Sequence, residues 1–318
     1  MFSFPPFNRT VILLSAMLLM AALWDFLPHA NFLMVCFTFL TSALLLDQPS
    51  FTERLKHALV MASYASTAQF IIAITANFPF GQLILAAAFG FFTFLTLPDH
   101  RAGCIVMITG YLALFAPPGF LPGVSRCLDI FCGVLVVMAV TALGNAARAK
   151  NKAPAVPVPF SFSEALELAL LLGAGTFLFR ALHLKQGPWI MLTMLFITMS
   201  RSPGNTAGKL AFQRIIAVPA GIILGGFLLG TFSIIDYRFV YLVPFIGAVG
   251  FWIFYNYGNF FLFSIIFMIA LTIFSDWMAG PSQRYNFWEG FFSRSLSTLL
   301  GALPELFHGV FQARKEQI

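Results

Sequence analysis

Apolar runs separated by proline, glycine or charged residues recur along almost the whole chain, and they constrain its fold more than any motif does. A helix needs about 20 mostly apolar residues to cross the hydrocarbon core of a bilayer. Several runs are shorter, so some adjacent pairs are expected to be half-helices or re-entrant hairpins enclosed by protein. We predict an all-α polytopic membrane protein with about twelve transmembrane helices, ten being the alternative count. The runs fall at 10–27, 31–46, 57–76, 80–97, 103–117, 127–144, 163–182, 188–200, 214–232, 239–255, 258–275 and 291–309.

The charge content supports a membrane protein and indicates its orientation. Only 9% of the 318 residues are charged, whereas soluble proteins carry about 25%. The 18 Lys and Arg stand singly between apolar runs and form no basic stripe, which argues against nucleic-acid binding. With the N-terminus inside, twelve of them fall on the cytoplasmic side and six outside. This asymmetry predicts that both termini lie in the cytoplasm.

Two sets of six runs flank a polar stretch and look like copies of each other. The segment that starts at Ser125-Arg126 resembles the one that starts at Ser293-Arg294, and a shift of 157 residues places Ala30 over Gly187. Two copies of six spans enter the membrane from the same side and are related by an axis along the membrane normal. The sequence therefore predicts two parallel six-helix repeats, at 1–146 and 161–318, joined by a cytoplasmic linker at 147–160.

The segment from Gly187 to Gly230 has the most specific pattern in the chain. An apolar helix led by an aromatic residue is followed by a polar turn, and an arginine begins a second apolar helix rich in glycine. This layout resembles the core signature of the fusaric acid resistance and aromatic acid exporter superfamily of bacterial inner-membrane proteins. The pair Ala217-Val218 departs from the Gly-Thr that the family usually has there. The matching positions are Trp189, Thr193, Asn205-Thr206, Arg214 and Gly221.

The resemblance implies an efflux transporter in the bacterial inner membrane for small hydrophobic organic anions of the aromatic carboxylic acid type. It also implies two partners, a periplasmic adaptor of the membrane-fusion type and an outer-membrane channel. Longer members carry a sizeable soluble region, whereas the linker of about 15 residues here indicates a short member without a cytoplasmic domain. The oligomeric state is left open, a homo-oligomer included.

Other functional classes are weighed against export. A passive organic-anion channel is the first alternative, because plant malate channels are distant relatives of the superfamily, and a non-transporting membrane scaffold is the second. The sequence contains no HExxH, GxSxG or P-loop motif, so we expect neither an enzyme nor a metal or cofactor site. Without an ATP site, transport is expected to be passive or driven by an ion gradient, for which protons are favoured.

Three arginines are the candidate anion contacts. A charge at bilayer depth is costly unless it is paired or hydrated, which makes Arg214 a candidate substrate-binding residue. Arg126 and Arg294 occupy matching positions at the predicted outer ends of helices six and twelve, where they could attract an organic anion. The alternative for all three is a side chain that anchors a helix at the membrane interface. Trp189 and Thr193 join the predicted substrate site through the resemblance.

Three acids among apolar neighbours are the candidate proton-coupling residues. Asp129 lies three residues after Arg126 on the same helical face, so that it could instead pair with that arginine. Asp25 and Glu305 are the other two embedded acids. Buried carboxylates tend to hold their protons more tightly and can exchange them near neutral pH.

The predicted topology can be tested by labelling single cysteines, after the chain's own four have been replaced. Cysteines placed in the 147–159 linker should react with a membrane-impermeant maleimide only from the cytoplasm. Those placed in the 277–288 loop should react only from outside, because the basic residues place the two segments on opposite sides. Labelling of both from one face would contradict the even number of spans.

Overall fold

The computed structural model describes residues 51–115, 119–144, 159–201, 206–232, 258–279 and 287–315, with a few positions between 246 and 253. Within these ranges the regular structure is entirely helical, as expected of a helical membrane protein. A 3₁₀ turn, Ala113–Phe115, follows the third helix. The helices are α1 Phe51–Thr75, α2 Pro79–Thr96, α3 His100–Leu112, α4 Phe120–Gly144, α5 Phe162–Ala181, α6 Trp189–Met199, α7 Ala207–Phe232, α8 Phe260–Ala279 and α9 Phe287–Lys315.

The described helices differ in their ability to span a membrane. Four of them, α1, α2, α5 and α7, are long and apolar enough to cross. By contrast, α6 has 11 residues, a length of roughly 16 Å, about half of the hydrocarbon core. Every residue of α6 is buried, so this helix is enclosed by protein, as expected of some of the short apolar runs. The twelve-span count stays a prediction, since the runs at 10–27 and 31–46 lie outside the described residues.

Several helices begin before the apolar run that marks them in the sequence. The helix α1 begins at Phe51 rather than at 57, α7 at Ala207 rather than at 214, and α9 at Phe287 rather than at 291. The reason is that polar residues such as Lys209 and Gln213 continue a helix as readily as apolar ones. An apolar run therefore marks the part of a helix suited to an apolar environment and not its first turn.

Polar side chains begin several of the described helices by accepting hydrogen bonds from backbone N–H groups. Before α5, the backbone N–H of Ser161 donates to Glu164 Oε2 at 2.9 Å, and the Glu164 N–H donates back to Ser161 Oγ at 3.3 Å. This reciprocal pair is a capping box. Asp99 caps α3 by accepting from the N–H of Arg101 at 2.9 Å. Asn259 accepts from the N–H of Leu262 at 3.0 Å at the start of α8.

The chain divides into two compact units, residues 1–178 and 179–318. In the first unit α1 packs on α2, α3 and α4, and in the second α7 packs on α8 and α9 while α6 packs on α9. The division falls inside α5, beyond the predicted linker at 147–160. Most of α5 belongs to the first unit, where Phe162 packs edge-on against Phe91 at 5.4 Å between ring centroids. The two-repeat organisation stays a prediction.

Glycine lets α7 and α8 approach until their backbones touch. A Cβ atom on Gly221 would lie 2.6 Å from the carbonyl oxygen of Ile265, and one on Gly225 would lie 2.9 Å from the Cβ of Thr272. Small residues at a spacing of four allow this kind of approach between helices. Gly221, one of the signature positions, therefore serves to pack α7 against α8.

Gly221→Ala should destabilise the protein by about 1–3 kcal/mol, because the added methyl group would overlap the α8 backbone. Gly230→Ala is the matched control on the same helix, since no heavy atom of the described residues lies within 4 Å of its Cβ position. The control should be neutral or slightly stabilising, as alanine favours the helix by about 0.5–1 kcal/mol. Thermal unfolding in detergent compares the two, and equal midpoints would refute the close approach.

Candidate functional site

Three buried arginines, Arg126, Arg214 and Arg294, stand within the helices and not at their ends. Each lies six or seven residues after the first residue of its helix, α4, α7 or α9. The expectation that Arg214 opens a helix, and that the other two stand at helix starts, is therefore wrong, because the helices begin earlier than their apolar runs. The exposed fractions are 3% for Arg126, 0% for Arg214 and 3% for Arg294.

Arg214 is enclosed mainly by aromatic rings. Its guanidinium carbon lies 4.8 Å from the ring centroid of Phe196 and 6.0 Å from that of Phe260. The Phe267 ring continues the cluster, 5.4 Å from that of Phe196. A cation over an aromatic face is stabilised, the more so away from water. The rings thus offset part of the cost of burying this charge.

Most of the hydrogen-bonding capacity of Arg214 is left unused by the described residues. Nη1 donates to Ser264 Oγ at 3.0 Å. Within the described part of the chain, Nε and Nη2 have no hydrogen-bond partner, and no carboxylate forms an ion pair with this arginine. A buried donor without an acceptor costs stability, and a charged donor costs more than a neutral one. The arrangement is therefore suited to an anion that accepts from the free edge of the guanidinium.

Arg294 joins α9 to the start of α6 through a glutamine. Its Nε donates to Gln186 Oε1 at 3.3 Å, and the indole Nε1 of Trp189 donates to the same oxygen at 3.1 Å. The guanidinium carbon lies 5.8 Å from the Trp189 ring centroid. The backbone N–H of Gln186 also donates to Ser293 Oγ at 3.2 Å. The structure thus brings together two predicted site residues, Trp189 and Arg294.

One face of α6 connects the two arginines of the second unit. Trp189, Thr193 and Phe196 follow one another at a spacing of four and three residues, which places them on the same face of a helix. The guanidinium of Arg294 lies near the first of these side chains and that of Arg214 near the last. The two rings are roughly 10 Å apart along the helix axis. Thr193 stands between them, fully buried, with a hydroxyl that has no partner among the described residues.

Glu305 is paired in the structure. Its carboxylate, 3% exposed, accepts from Arg201 Nη2 at 2.5 Å, and Arg201 directly follows the C-cap of α6. The prediction that Glu305 stands among apolar neighbours omitted this arginine, which lies 104 residues away in the chain. The pair joins α9 to the far end of α6, opposite the contact made by Gln186.

In the first unit, the buried Arg126 is bound to the protein backbone. Arg126 Nη1 donates to the carbonyl oxygen of Ala113 at 3.3 Å, in the 3₁₀ turn after α3. Asp129 is half-buried three residues further along α4 and interacts electrostatically with Arg126. Arg126 and Arg294 therefore share burial and position within their helices, while one donates to a backbone carbonyl and the other to a glutamine side chain. Asp25, the third predicted proton-coupling residue, lies outside the described residues.

Three residues of the second unit were missed by sequence reasoning: Gln186, Ser264 and Arg201. Only Gln186 could have been predicted from the sequence. It stands one position before the signature begins, as a polar side chain next to Gly187-Pro188-Trp189. Ser264 is an ordinary residue of an apolar helix, and Arg201 counts in the sequence only as a basic residue of a turn. Their contacts with Arg214 and Glu305 depend on the packing of distant helices.

Comparison with known proteins finds one similar family. Residues 172–307 match the family model described as fusaric acid resistance protein-like. No curated protein and no solved structure matches the chain. The matched stretch contains Trp189, Thr193, Arg214 and Arg294 and excludes Arg126. The match confirms the resemblance noted from the signature: residues 172–307 are similar to the family described as fusaric acid resistance protein-like.

Proposed function

We propose that the chain is an inner-membrane exporter of small hydrophobic organic anions, of the aromatic carboxylic acid type, and that it binds them at Arg214. The observation that carries this proposal is a fully buried guanidinium, ringed by Phe196 and Phe260, with two nitrogen atoms that have no partner among the described residues. A carboxylate accepts two parallel N–H bonds from such a fork. The family description refers to fusaric acid, which supports an acid as the ligand.

The aromatic surroundings of Arg214 account for the preference for an aromatic acid. A ligand that places its carboxylate on the guanidinium brings its hydrocarbon part against the rings of Phe196 and Phe260. Offset or edge-on contacts between rings contribute about 0.5–1.5 kcal/mol beyond the area that they bury. An arginine that served only as an interfacial anchor would extend its head into water, whereas that of Arg214 is 0% exposed.

Export is proposed to be driven by protons, with Asp129, Glu305 and Asp25 as the coupling candidates. We further propose that both termini lie in the cytoplasm and that a periplasmic adaptor of the membrane-fusion type and an outer-membrane channel complete the route to the medium. One observation favours a passive organic-anion channel as the second candidate function. Asp129 and Glu305 both interact with arginines, an arrangement that also suits two acids whose role is to neutralise buried charge.

Replacing Arg214 by Gln should weaken anion binding and export while leaving the protein in the membrane. The loss of charge-assisted hydrogen bonds is expected to cost about 1.5–3 kcal/mol, which is about 10- to 150-fold in affinity. Export of radiolabelled benzoate from cells and its binding to purified protein measure the effect. Arg214→Lys should recover only part of the loss, because lysine keeps the charge but not the planar fork.

Lys209→Gln is the matched control for charge removal, since this exposed lysine lies five residues earlier on α7. It should behave as the wild type does. If Arg214→Gln also bound and exported benzoate at the wild-type level, Arg214 would be an anchor or a packing element and the proposed site would be wrong.

Proteoliposomes with an imposed pH gradient can distinguish the coupling of transport to protons from the binding of the anion. Asp129→Asn should abolish uphill transport of benzoate and retain downhill exchange, since an amide cannot carry the proton. Glu305→Gln is tested in the same way, and Glu289→Gln, an exposed acid paired with Lys185, is the control. A wild-type flux that does not respond to the pH gradient would favour the channel. Unchanged uphill transport in both acid variants would leave Asp25.

A further inference from the structure

Three hydroxyl groups between α6 and α9 are buried without a described partner. Thr193 and Ser297 are 0% exposed and Thr298 is 1% exposed. None of their oxygen atoms has a hydrogen-bond partner among the described residues. Other buried threonines of this unit donate to the carbonyl four residues earlier, as Thr198 Oγ1 does to Met194 at 2.9 Å. Buried polar groups are nearly always satisfied, so three exceptions at one interface require an explanation.

The three hydroxyls lie in the same stretch of the interface between α6 and α9. A Cβ atom on Gly301 would lie 3.0 Å from the Cβ of Thr193 and would overlap the carbonyl oxygen of Ile190, so α9 touches α6 at this point. Ser297 stands one turn before Gly301 and three residues after Arg294, on the side of α9 that faces α6. Thr298 adjoins it.

Polar contacts close this stretch at each end. At the start of α6, Gln186 is bound to Ser293 and to Arg294. After the end of α6, Arg201 is bound to Glu305. The three hydroxyls lie between these two attachments, with the guanidinium of Arg294 before them and that of Arg214 beside Phe196 on the same face of α6.

We propose that Thr193, Ser297 and Thr298 form a second binding position for the carboxylate group, between Arg214 and Arg294. Hydroxyls can donate, and an ionised carboxylate only accepts, so three O–H groups from two helices suit that group in particular. The two guanidiniums make the position electrostatically favourable for an anion. This inference rests on the proposed function and extends it, since it gives the anion a second position along the α6 face.

Thr193→Val tests this second binding position, because valine keeps the shape of threonine and removes the hydroxyl. The variant should bind benzoate about tenfold more weakly, a loss equivalent to about 1.4 kcal/mol. Without benzoate it should melt at a higher temperature than the wild type, since a buried hydroxyl with no partner has been removed. Ser297→Ala, the second variant, should change both quantities in the same direction.

Thr198→Val is the matched control on the same helix, because the Thr198 hydroxyl already donates to Met194. It should leave benzoate affinity unchanged and should not raise the melting temperature. One contradictory outcome is that Thr193→Val and Ser297→Ala bind benzoate as tightly as Thr198→Val while Arg214→Gln loses binding. That result would refute the second binding position and leave the proposed function standing. If the wild type bound no benzoate, both would be overturned.

Discussion

The second unit is organised around the burial of one positive charge. Placing a guanidinium away from water costs several kcal/mol unless other groups take over its solvation. At Arg214 these groups come from two helices, the ring of Phe196 on α6 and the ring of Phe260 and hydroxyl of Ser264 on α8. The α8 groups reach it because Gly221 lets α7 and α8 come into backbone contact. The close packing of α7 on α8 therefore also determines which groups surround the charge of Arg214.

The short helix α6 is part of the same arrangement. A helix of 11 residues does not cross the bilayer, yet its backbone is internally bonded and all of its side chains are buried. Because protein surrounds it, one of its faces can carry an indole, a hydroxyl and a phenyl ring toward two arginines. A spanning helix exposed to lipid would have to give part of that surface to apolar contacts. A short enclosed helix is thus a physically favourable support for a polar site at membrane depth.

The sequence predicts the local parts of this site and misses those that depend on distant packing. Trp189, Thr193 and Arg214 are candidates because they belong to one continuous signature, and the shortness of several apolar runs predicts that some helices are enclosed by protein. Ser264 and Arg201 are missed because a single serine or a loop arginine has no distinguishing neighbours in the chain. The helix starts are misplaced for a similar reason, since apolar runs indicate an apolar environment and say little about the first turns.

Arg126 and Arg294 show why a repeated sequence does not ensure a repeated site. Each follows a serine two turns inside a helix of its unit, yet one donates to the backbone carbonyl of Ala113 and the other to the side chain of Gln186. A backbone carbonyl is available in any sequence, whereas a glutamine shared with an indole requires a particular residue beside Trp189. The shared glutamine lies in the second unit, which also contains most of the stretch that matches the family model.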